Sequence, residues 1–475
     1  MAVSTPSPGR PARPTDTTWL FGLFALLFAL SLILHQLWWH GLEVLSPHFL
    51  VILAALWTAI RPTSVVRFVT MVAAEVLSVA LDMPDVGSHT LLVLLSGTCV
   101  LTFVGWTTLR TRRLVDAGTL FERIAPFLRV QLLVVYVATA VAKMNTDFFD
   151  GEVSCAVALS GQVLWFAPGL IDGSWRVGPS MWGTVAVEVA LPVLLVVPRT
   201  RVLGLLVGGA FHTILALAGN VPFSALALAL YVAFLPPDTP SRLRALAAGR
   251  PALGRWALRA RRLGSSRVAF PAAVGCWIAA AVIFSFEPVA GRALISNGTR
   301  LVLVLVVLAA GILLALSVAR GGPWIYSPTS LRLGHPVFAV GIVLLLANSL
   351  SPYLGLKTES SFTMFSNLQT EAGYWNHAFI PEAVRIFPYQ DQLVRITDSN
   401  DRALESRSRD GTRLVRFELG RYLRAHRGTT ATYATASAGE ATQTAASSSA
   451  ATPATAILDR LVKFRAVRPA ERAGC

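Results

Sequence analysis

Long apolar runs, separated by short polar segments, dominate the first 350 positions of the chain. A membrane-spanning helix needs about 20 mostly apolar residues, and somewhat fewer where other helices surround it. The pattern therefore predicts an all-α fold, a polytopic transmembrane helix bundle of about 11 helices (9–11). The candidate helices are 18–39, 48–60, 65–81, 91–108, 126–142, 182–197, 202–218, 223–235, 268–286, 301–319 and 336–350.

The same pattern divides the chain into six regions. Low-complexity, polar and basic stretches separate the apolar ones, and the tract from Gly428 to Thr455 is almost entirely Ala, Thr and Ser. Because such a tract has too few large apolar side chains to form a core, we expect that it does not pack. The expected regions are a disordered cytoplasmic N-terminus (1–17), a transmembrane module (18–237), a basic cytoplasmic loop (238–267), three further helices (268–350), an extracytoplasmic polar segment (351–427) and a low-complexity tail (428–475).

Arginines alternate between successive loops, which predicts the orientation of the chain. Cytoplasmic loops carry an excess of Lys and Arg. The segments assigned to the inside are rich in arginine, whereas 144–181 contains only Arg176 and 287–298 only Arg292. An odd number of crossings then places the N-terminus in the cytoplasm and the C-terminus outside a cell membrane. The inside arginines include Arg10, Arg13, Arg61, Arg110, Arg112, Arg113, Arg123, Arg199, Arg201, Arg320 and Arg332.

Composition agrees with a membrane protein, since 54% of the residues are hydrophobic, 14% are charged and the mean hydropathy is +0.58. A net charge of +15 can indicate nucleic-acid binding, but these charges lie between apolar runs, so we expect lipid headgroups and no nucleic acid as partners. Cys99, Cys155, Cys276 and Cys475 have no CxxC spacing, and we expect neither a metal site nor a disulfide framework.

Lysine is scarce: only Lys143, Lys357 and Lys463 occur among the 41 basic Lys and Arg residues. Arginine stays protonated, whereas a desolvated lysine can lose its proton and act as a base. Lys143 ends the apolar segment QLLVVYVATAVAK, and Asp147 and Asp150, which follow it, are possible ion partners. The alternative is that Lys143 extends to the interface or bonds the last helix carbonyls.

Other ionisable residues also lie within apolar segments. His212, in GLLVGGAFHTILALAG, has small neighbours and is either an interhelical hydrogen bonder or a site residue. Glu75 and Glu188 should face the bundle interior, where a partner or protonation offsets the cost of burial. For Glu188 we favour a structural role. His89 follows DMPDVGS at an outer helix start.

Three stretches resemble the HTTM domain family, which includes the vitamin K-dependent γ-glutamyl carboxylases. RVQLLVVYVATAVAKMNTDFFDG resembles the family's signature helix, and GSHTLLVLLSG resembles its His-containing helix start. EVALPVLLVVPRTRVLGLLVGGAFHTILALAGNVPFSALALALYVAFLPP resembles the second half of the module. The resemblance covers roughly 18–237, and Arg-rich, Ala-rich usage is typical of a bacterial member. The signature matches are Tyr136, Lys143, Asp147, Phe148 and Gly151.

The resemblance implies a mechanism and a set of site residues. In the carboxylase, a lysine deprotonates vitamin K hydroquinone, oxygen addition yields an epoxide and a strong base, and that base prepares a glutamate for carboxylation. Lys143 and His212 would then be catalytic, and no metal is expected. The family's lysine pair is replaced by Ala142-Lys143, its Trp by Phe148, and its large lumenal region by the shorter 351–475. Substrate or cofactor binding would fall to Tyr136, Asp147, His89 and Glu188.

Two hypotheses follow. The first is a membrane enzyme that uses a lipid quinol, either vitamin K hydroquinone or menaquinol, with oxygen and carbon dioxide. The second is a non-catalytic membrane protein that binds a lipid or a partner protein through its extracytoplasmic segment. A transporter is less favoured, because the sequence shows no internal repeat and no paired broken helices.

Overall fold

The computed structural model describes residues 14–41, 46–163, 173–248, 268–286, 288–321, 331–435, 442–446 and 453–467, and most of them are helical. Each of the eleven predicted apolar segments lies largely on a helix. The helices up to residue 350 are α1 (Pro14–His40), α2 (Pro47–Ile60), α3 (Val65–Asp82), α4 (Ser88–Thr111), α5 (Ala117–Ala142), α6 (Cys155–Val163), α7 (Val177–Val196), α8 (Arg201–Leu217), α9 (Val221–Tyr231), α10 (Thr239–Ala248), α11 (Ala269–Phe286), α12 (Pro288–Gly321) and α13 (Pro336–Leu350).

Five of these helices are long and apolar enough to cross a bilayer, which supports a multi-pass membrane protein. A sixth crossing is formed if Val221–Phe234 and Thr239–Leu246, bent by 97° at their junction, count as one span. Four other apolar helices have 10–17 residues each, fewer than the about 20 residues of a typical spanning helix. The five long spans are Asp16–His40, Ser88–Thr111, Ala117–Ala142, Ser174–Val196 and Gly291–Ala315.

Local signals fix where several helices begin. Ser46 caps α2, since its hydroxyl accepts from the Phe49 N–H at 3.2 Å, and Pro47 occupies the first helical turn. Asp116 precedes α5, and its carboxylate accepts from the backbone and hydroxyl of Thr119 at 3.0 and 2.6 Å. These bonds to the ionised form lower the pKa of Asp116. The helix therefore begins nine residues before Pro126, where the apolar run alone placed its start.

The chain forms two compact units, and the first comprises described residues within 1–78, 93–133 and 190–342. In this unit α1 packs against α2 and α9. Aromatic rings fill part of its core, with Phe21 edge-on to Phe68 at 5.2 Å and Phe24 stacked on Phe28 at 5.7 Å. Burial of such rings supplies much of the stabilisation of a helical core.

The second unit comprises described residues within 79–92, 134–189 and 343–475. It contains a four-stranded antiparallel sheet in the order β2-β1-β3-β4, so the chain is not all-α. Residues such as Val394, Leu404 and Tyr433 form the core beneath the sheet. Its elements are β1 (Leu393–Ser399), α14 (Arg402–Arg409), β2 (Arg413–Val415), α15 (Arg416–Ala425), β3 (Thr430–Thr435), β4 (Thr442–Ala446) and α16 (Pro453–Leu461), preceded by 3₁₀ turns at Glu382–Val384 and Pro388–Asp391.

The tract from Gly428 to Thr455 was expected not to pack, and the structure differs. Its sequence TATYAT alternates, so Ala431 and Tyr433 point into the core while the threonines flank them as strand β3. Strand β3 pairs with both β1 and β4. Pairing with a strand already in place lets small and β-branched residues fold without large side chains of their own. The residues after α16 also pack, with Val462, Phe464 and Val467 buried.

The expectation of no disulfide is also wrong, because Cys155 is disulfide-bonded. Cysteine spacing identifies local pairs only, and disulfides between distant positions leave no such pattern. Cys99 and Cys276 are free thiols. Residues 1–13 of the predicted disordered N-terminal region 1–17 lie outside the described residues, as do residues 249–267 of the basic loop. Residues 14–17 differ from that prediction, because they form the first turn of α1.

Candidate functional site

Lys143 follows directly after α5, and its side chain turns back towards the bundle instead of leaving the helix end. Its Nζ lies 3.0 Å from Oε1 of Glu188, near the middle of α7, and 3.5 Å from the carbonyl oxygen of Thr139. The two side chains are only 6% and 8% exposed. The site is therefore a buried ion pair, with one contact to the last turn of α5.

The ion partner of Lys143 differs from the one that the sequence indicated. Asp147 and Asp150 are closer in sequence, but Asp147 bonds the Thr146 hydroxyl at 3.2 Å and the Gln369 amide at 3.5 Å. The carboxylate of Asp150 accepts from the Glu152 N–H at 3.0 Å. The carboxylate that pairs with Lys143 is that of Glu188, for which a structural role was favoured.

The side chain of Asn145 holds the turn after Lys143 in place. Its side-chain Nδ2 donates to the carbonyls of Ala142 and Ser366 at 2.8 and 2.6 Å. Its Oδ1 accepts from the Phe148 N–H at 2.9 Å and from Asn376 at 3.4 Å. All of its hydrogen-bonding capacity is used in a position that is 1% exposed. Nothing in the sequence distinguishes it from an ordinary turn asparagine.

An apolar wall lies beside the ion pair. The Lys143 Nζ lies 6.0 Å from the ring centroid of Phe148. Phe148 is fully buried and packs with Val157, Met181 and Val185. A cation over an aromatic face in such surroundings is attracted to the ring more strongly than in water. Phe148 is thus the aromatic residue beside the lysine.

Glu188 has one carboxylate oxygen without a close donor. Its Oε1 accepts from Lys143, whereas its Oε2 is buried and meets no described donor within hydrogen-bonding distance, and the Thr139 hydroxyl also interacts with the carboxylate. A buried carboxylate oxygen without a donor costs free energy. The arrangement is suited to a ligand that carries a hydroxyl group or another proton donor.

Two further predicted site residues lie in the same unit as Lys143. Tyr136 is buried on α5, seven residues before Lys143, so two helical turns place both residues on one face. Its carbonyl accepts from the Thr139 hydroxyl at 3.1 Å. His89 is the second residue of α4 and is buried, and the neighbouring Ser88 hydroxyl accepts from the Phe362 N–H at 3.2 Å. Their predicted roles in binding remain predictions.

His212 lies in the first unit, whereas Lys143 lies in the second. It is fully buried on α8, and its ring lies 5.3 Å from that of Phe223 and 5.8 Å from that of Tyr231, both edge-to-face. Glu75, also in the first unit, accepts from the Gln36 amide at 3.2 Å. The aromatic contacts of His212 favour a role in helix packing.

The three lysines of the chain all lie in the second unit, in different environments. Lys463 is partly exposed and pairs with Asp85 at 2.8 Å. Lys357 is buried, and desolvation lowers its pKa to about 8. Lys143 alone combines burial with a carboxylate partner, which sets it apart as the candidate reactive lysine.

No protein-family model matches the chain, and neither a curated protein nor a solved structure matches it. The candidate site therefore depends on its own geometry.

Proposed function

We propose that the chain is an HTTM-type membrane enzyme in which Lys143 accepts a proton from a lipid quinol, either vitamin K hydroquinone or menaquinol. The observation that carries this proposal is the buried pair of Lys143 and Glu188, 3.0 Å apart, at the end of an apolar helix. Ionisable groups are costly there and are commonly functional.

The residues around the pair fit a reduced quinone. Such a molecule has an apolar ring and hydroxyl donors, which suit the wall of Phe148, Met181 and Val185 and the Oε2 of Glu188, which has no close donor. When bound, the quinol would supply reducing equivalents for reaction with oxygen. Tyr136, on the same face of α5, and Asp147 and His89 are proposed binding residues.

The pair can also accept the proton that the quinol hydroxyl loses. A proton can lie on either side of the hydrogen bond between Nζ and Oε1, so the ammonium–carboxylate pair and the amine–carboxylic acid pair interconvert. The amine–carboxylic acid pair is the form in which Lys143 can act as a base. In that form the Lys143 amine accepts the hydroxyl proton, and the resulting ammonium group balances the charge left on the ligand oxygen.

The test is quinol oxidation by purified protein in lipid, followed as oxygen uptake and quinol absorbance. Lys143→Arg, which keeps the charge but cannot supply a neutral amine, should abolish the activity. Lys463→Met, at a partly exposed lysine of the same unit, is the matched control and should retain it. Full activity of Lys143→Arg contradicts the proposal.

The proposed topology has about eleven crossings, a cytoplasmic N-terminus and an extracytoplasmic C-terminus in a bacterial cell membrane. It is supported by the alternation of arginine between loops. A reporter that is active only outside the cytoplasm, fused after Gly373, should be active. The same reporter fused after Arg201 should be inactive, and the reverse result contradicts the orientation.

The second candidate function, binding through the extracytoplasmic segment, is favoured by a groove in the sheet-containing part. The groove has a volume of about 410 Å³ and is lined by residues that include Tyr389, Arg416 and Phe417. In a host strain that lacks the protein, a binding function predicts complementation by Lys143→Met. It also predicts that a chain without residues 393–446 fails to complement the strain. That deletion does not remove Ser366 or Asn376, which contact Asn145.

A further inference from the structure

An exposed apolar loop in the second unit has no role in the proposed chemistry. The segment 377–387, named here the apolar loop, presents Phe379 and Ile386, which are 78% and 72% exposed, and its two charged residues, Glu382 and Arg385, pair with each other at 2.8 Å. Val384 and Phe387 are each 38% exposed. Large apolar side chains exposed together indicate a surface that binds a partner or a membrane.

One end of the apolar loop is hydrogen-bonded to the end of α5. The His377 Nε2 bonds the carbonyl of Val141 at 3.0 Å, and the Ala378 N–H donates to the carbonyl of Met144 at 2.9 Å. The His377 Nδ1 accepts from the backbone N–H groups of Phe379 and Ile380, so Nε2 carries the hydrogen. The loop is therefore bonded to Val141 and Met144, which lie on either side of Lys143 in the sequence.

The other end of the apolar loop is fixed just beyond a second apolar helix. The N–H groups of Ile386 and Phe387 donate to the carbonyl of Leu354 at 3.1 and 2.9 Å. Leu354 follows α13 by four residues, and α13 is uncharged throughout. Both ends of the loop thus lie at the C-terminal ends of apolar helices.

The end of α5 fixes the level of the loop in a bilayer. A helix of 26 residues is about 39 Å long, which exceeds a hydrocarbon core of about 30 Å. Its charged residues, Glu122, Arg123 and Arg129, lie in its first half, and residues 130–142 carry no charge. Val137 and Val141 are 52% and 37% exposed, as expected of side chains that face lipid. The end near Lys143 therefore lies at the boundary between acyl chains and headgroups.

We infer that the apolar loop inserts Phe379 and Ile386 into this boundary and that its partner is the lipid of the surrounding bilayer. Aromatic and aliphatic side chains at this level gain free energy from burial in lipid while the backbone keeps its hydrogen bonds. Because the loop is bonded to Val141 and Met144, its insertion holds Lys143 at a fixed depth. The inference is independent of whether Lys143 is catalytic.

The test measures the depth of single labelled positions in the full-length protein, reconstituted in phosphatidylcholine vesicles. Phe379→Cys and, in a second sample, Ile386→Cys are labelled with an environment-sensitive fluorophore in a Cys276→Ala background, which removes the exposed free thiol. Val137→Cys, on the lipid-facing side of α5, is the positive control. Ser406→Cys, exposed on the charged helix α14, is the aqueous control.

A nitroxide attached near the head of the lipid acyl chain should quench the labels at 379 and 386 at least as strongly as the label at 137, which lies deeper. Aqueous iodide should quench only the label at 406. The inference is overturned if labels at 379 and 386 respond to iodide like the one at 406. It is also overturned if they respond to neither quencher, since protein, including a second copy of the chain, would then cover the loop.

Discussion

The Nζ of Lys143 lies 3.0 Å from Oε1 of Glu188, and 45 residues separate the two positions along the chain. Each group is buried where hydration cannot offset its charge, so each depends on the other. The pair connects the end of α5 to the middle of α7. Its contribution to stability can therefore be separated from any contribution to catalysis.

Removal of one partner should destabilise the protein much more than removal of both. Glu188→Gln or Lys143→Met alone leaves an unpaired buried charge or forces its neutralisation, at a cost of about 3–5 kcal/mol. The double variant leaves no such charge and should regain a large part of that free energy. The free energies of unfolding in detergent, combined as a double-mutant cycle, measure the coupling. Strictly additive effects would show that the two side chains do not interact.

Asn145→Asp should disrupt the turn that carries Lys143. The substitution replaces an Nδ2 that donates to Ala142 and Ser366 with an oxygen that faces the same two carbonyls. We expect a loss of about 3 kcal/mol in the free energy of unfolding, because two acceptors lose their donor and a charge is buried. Asn376→Asp is the matched control, since the Asn376 amide also bonds in this region but its side chain is more accessible. Equal effects of the two substitutions would contradict a special role of Asn145.

The sequence predicted the helices because hydrophobic length is a local property, and each apolar run can be recognised without knowledge of its neighbours. Lys143 was singled out because lysine is scarce in this chain, and its catalytic role stays a prediction. The pairing with Glu188 could not be predicted, since it depends on how α5 and α7 meet. Strand β3 was missed for a related reason: TATYAT becomes a strand through pairing with β1, which lies more than 30 residues earlier.

Gly208 in α8 is a position where we expect alanine to be strongly unfavourable. A Cβ at this position would overlap the hydroxyl end of the Tyr231 ring, which also contacts His212. Gly208→Ala should therefore cost about 1–3 kcal/mol through overpacking. Gly183 in α7 has open space around its Cα, and Gly183→Ala should be neutral or stabilising by up to about 1 kcal/mol. Thermal unfolding in detergent compares the two, and equal midpoints would contradict the close packing.

Lys357 should make the stability of the protein rise with pH in the alkaline range. Burial lowers its folded-state pKa from 10.5 to about 8. Between about pH 8 and pH 10.5 the unfolded chain therefore binds a proton that the folded chain does not, and stability increases with pH across that interval. The full gain is about 3 kcal/mol, since each pKa unit corresponds to about 1.4 kcal/mol.

Lys357→Met removes this titration and should abolish that part of the rise. The variant should be more stable than the wild type below pH 8, where the wild type carries a buried charge. This difference in stability should shrink towards pH 10.5. Lys463→Met, at the partly exposed lysine that pairs with Asp85, is the matched control and should leave the alkaline rise in place. Unfolding midpoints measured at intervals over this range distinguish the variants. A wild type and Lys357→Met with parallel profiles would mean that Lys357 titrates alike in the folded and unfolded chain.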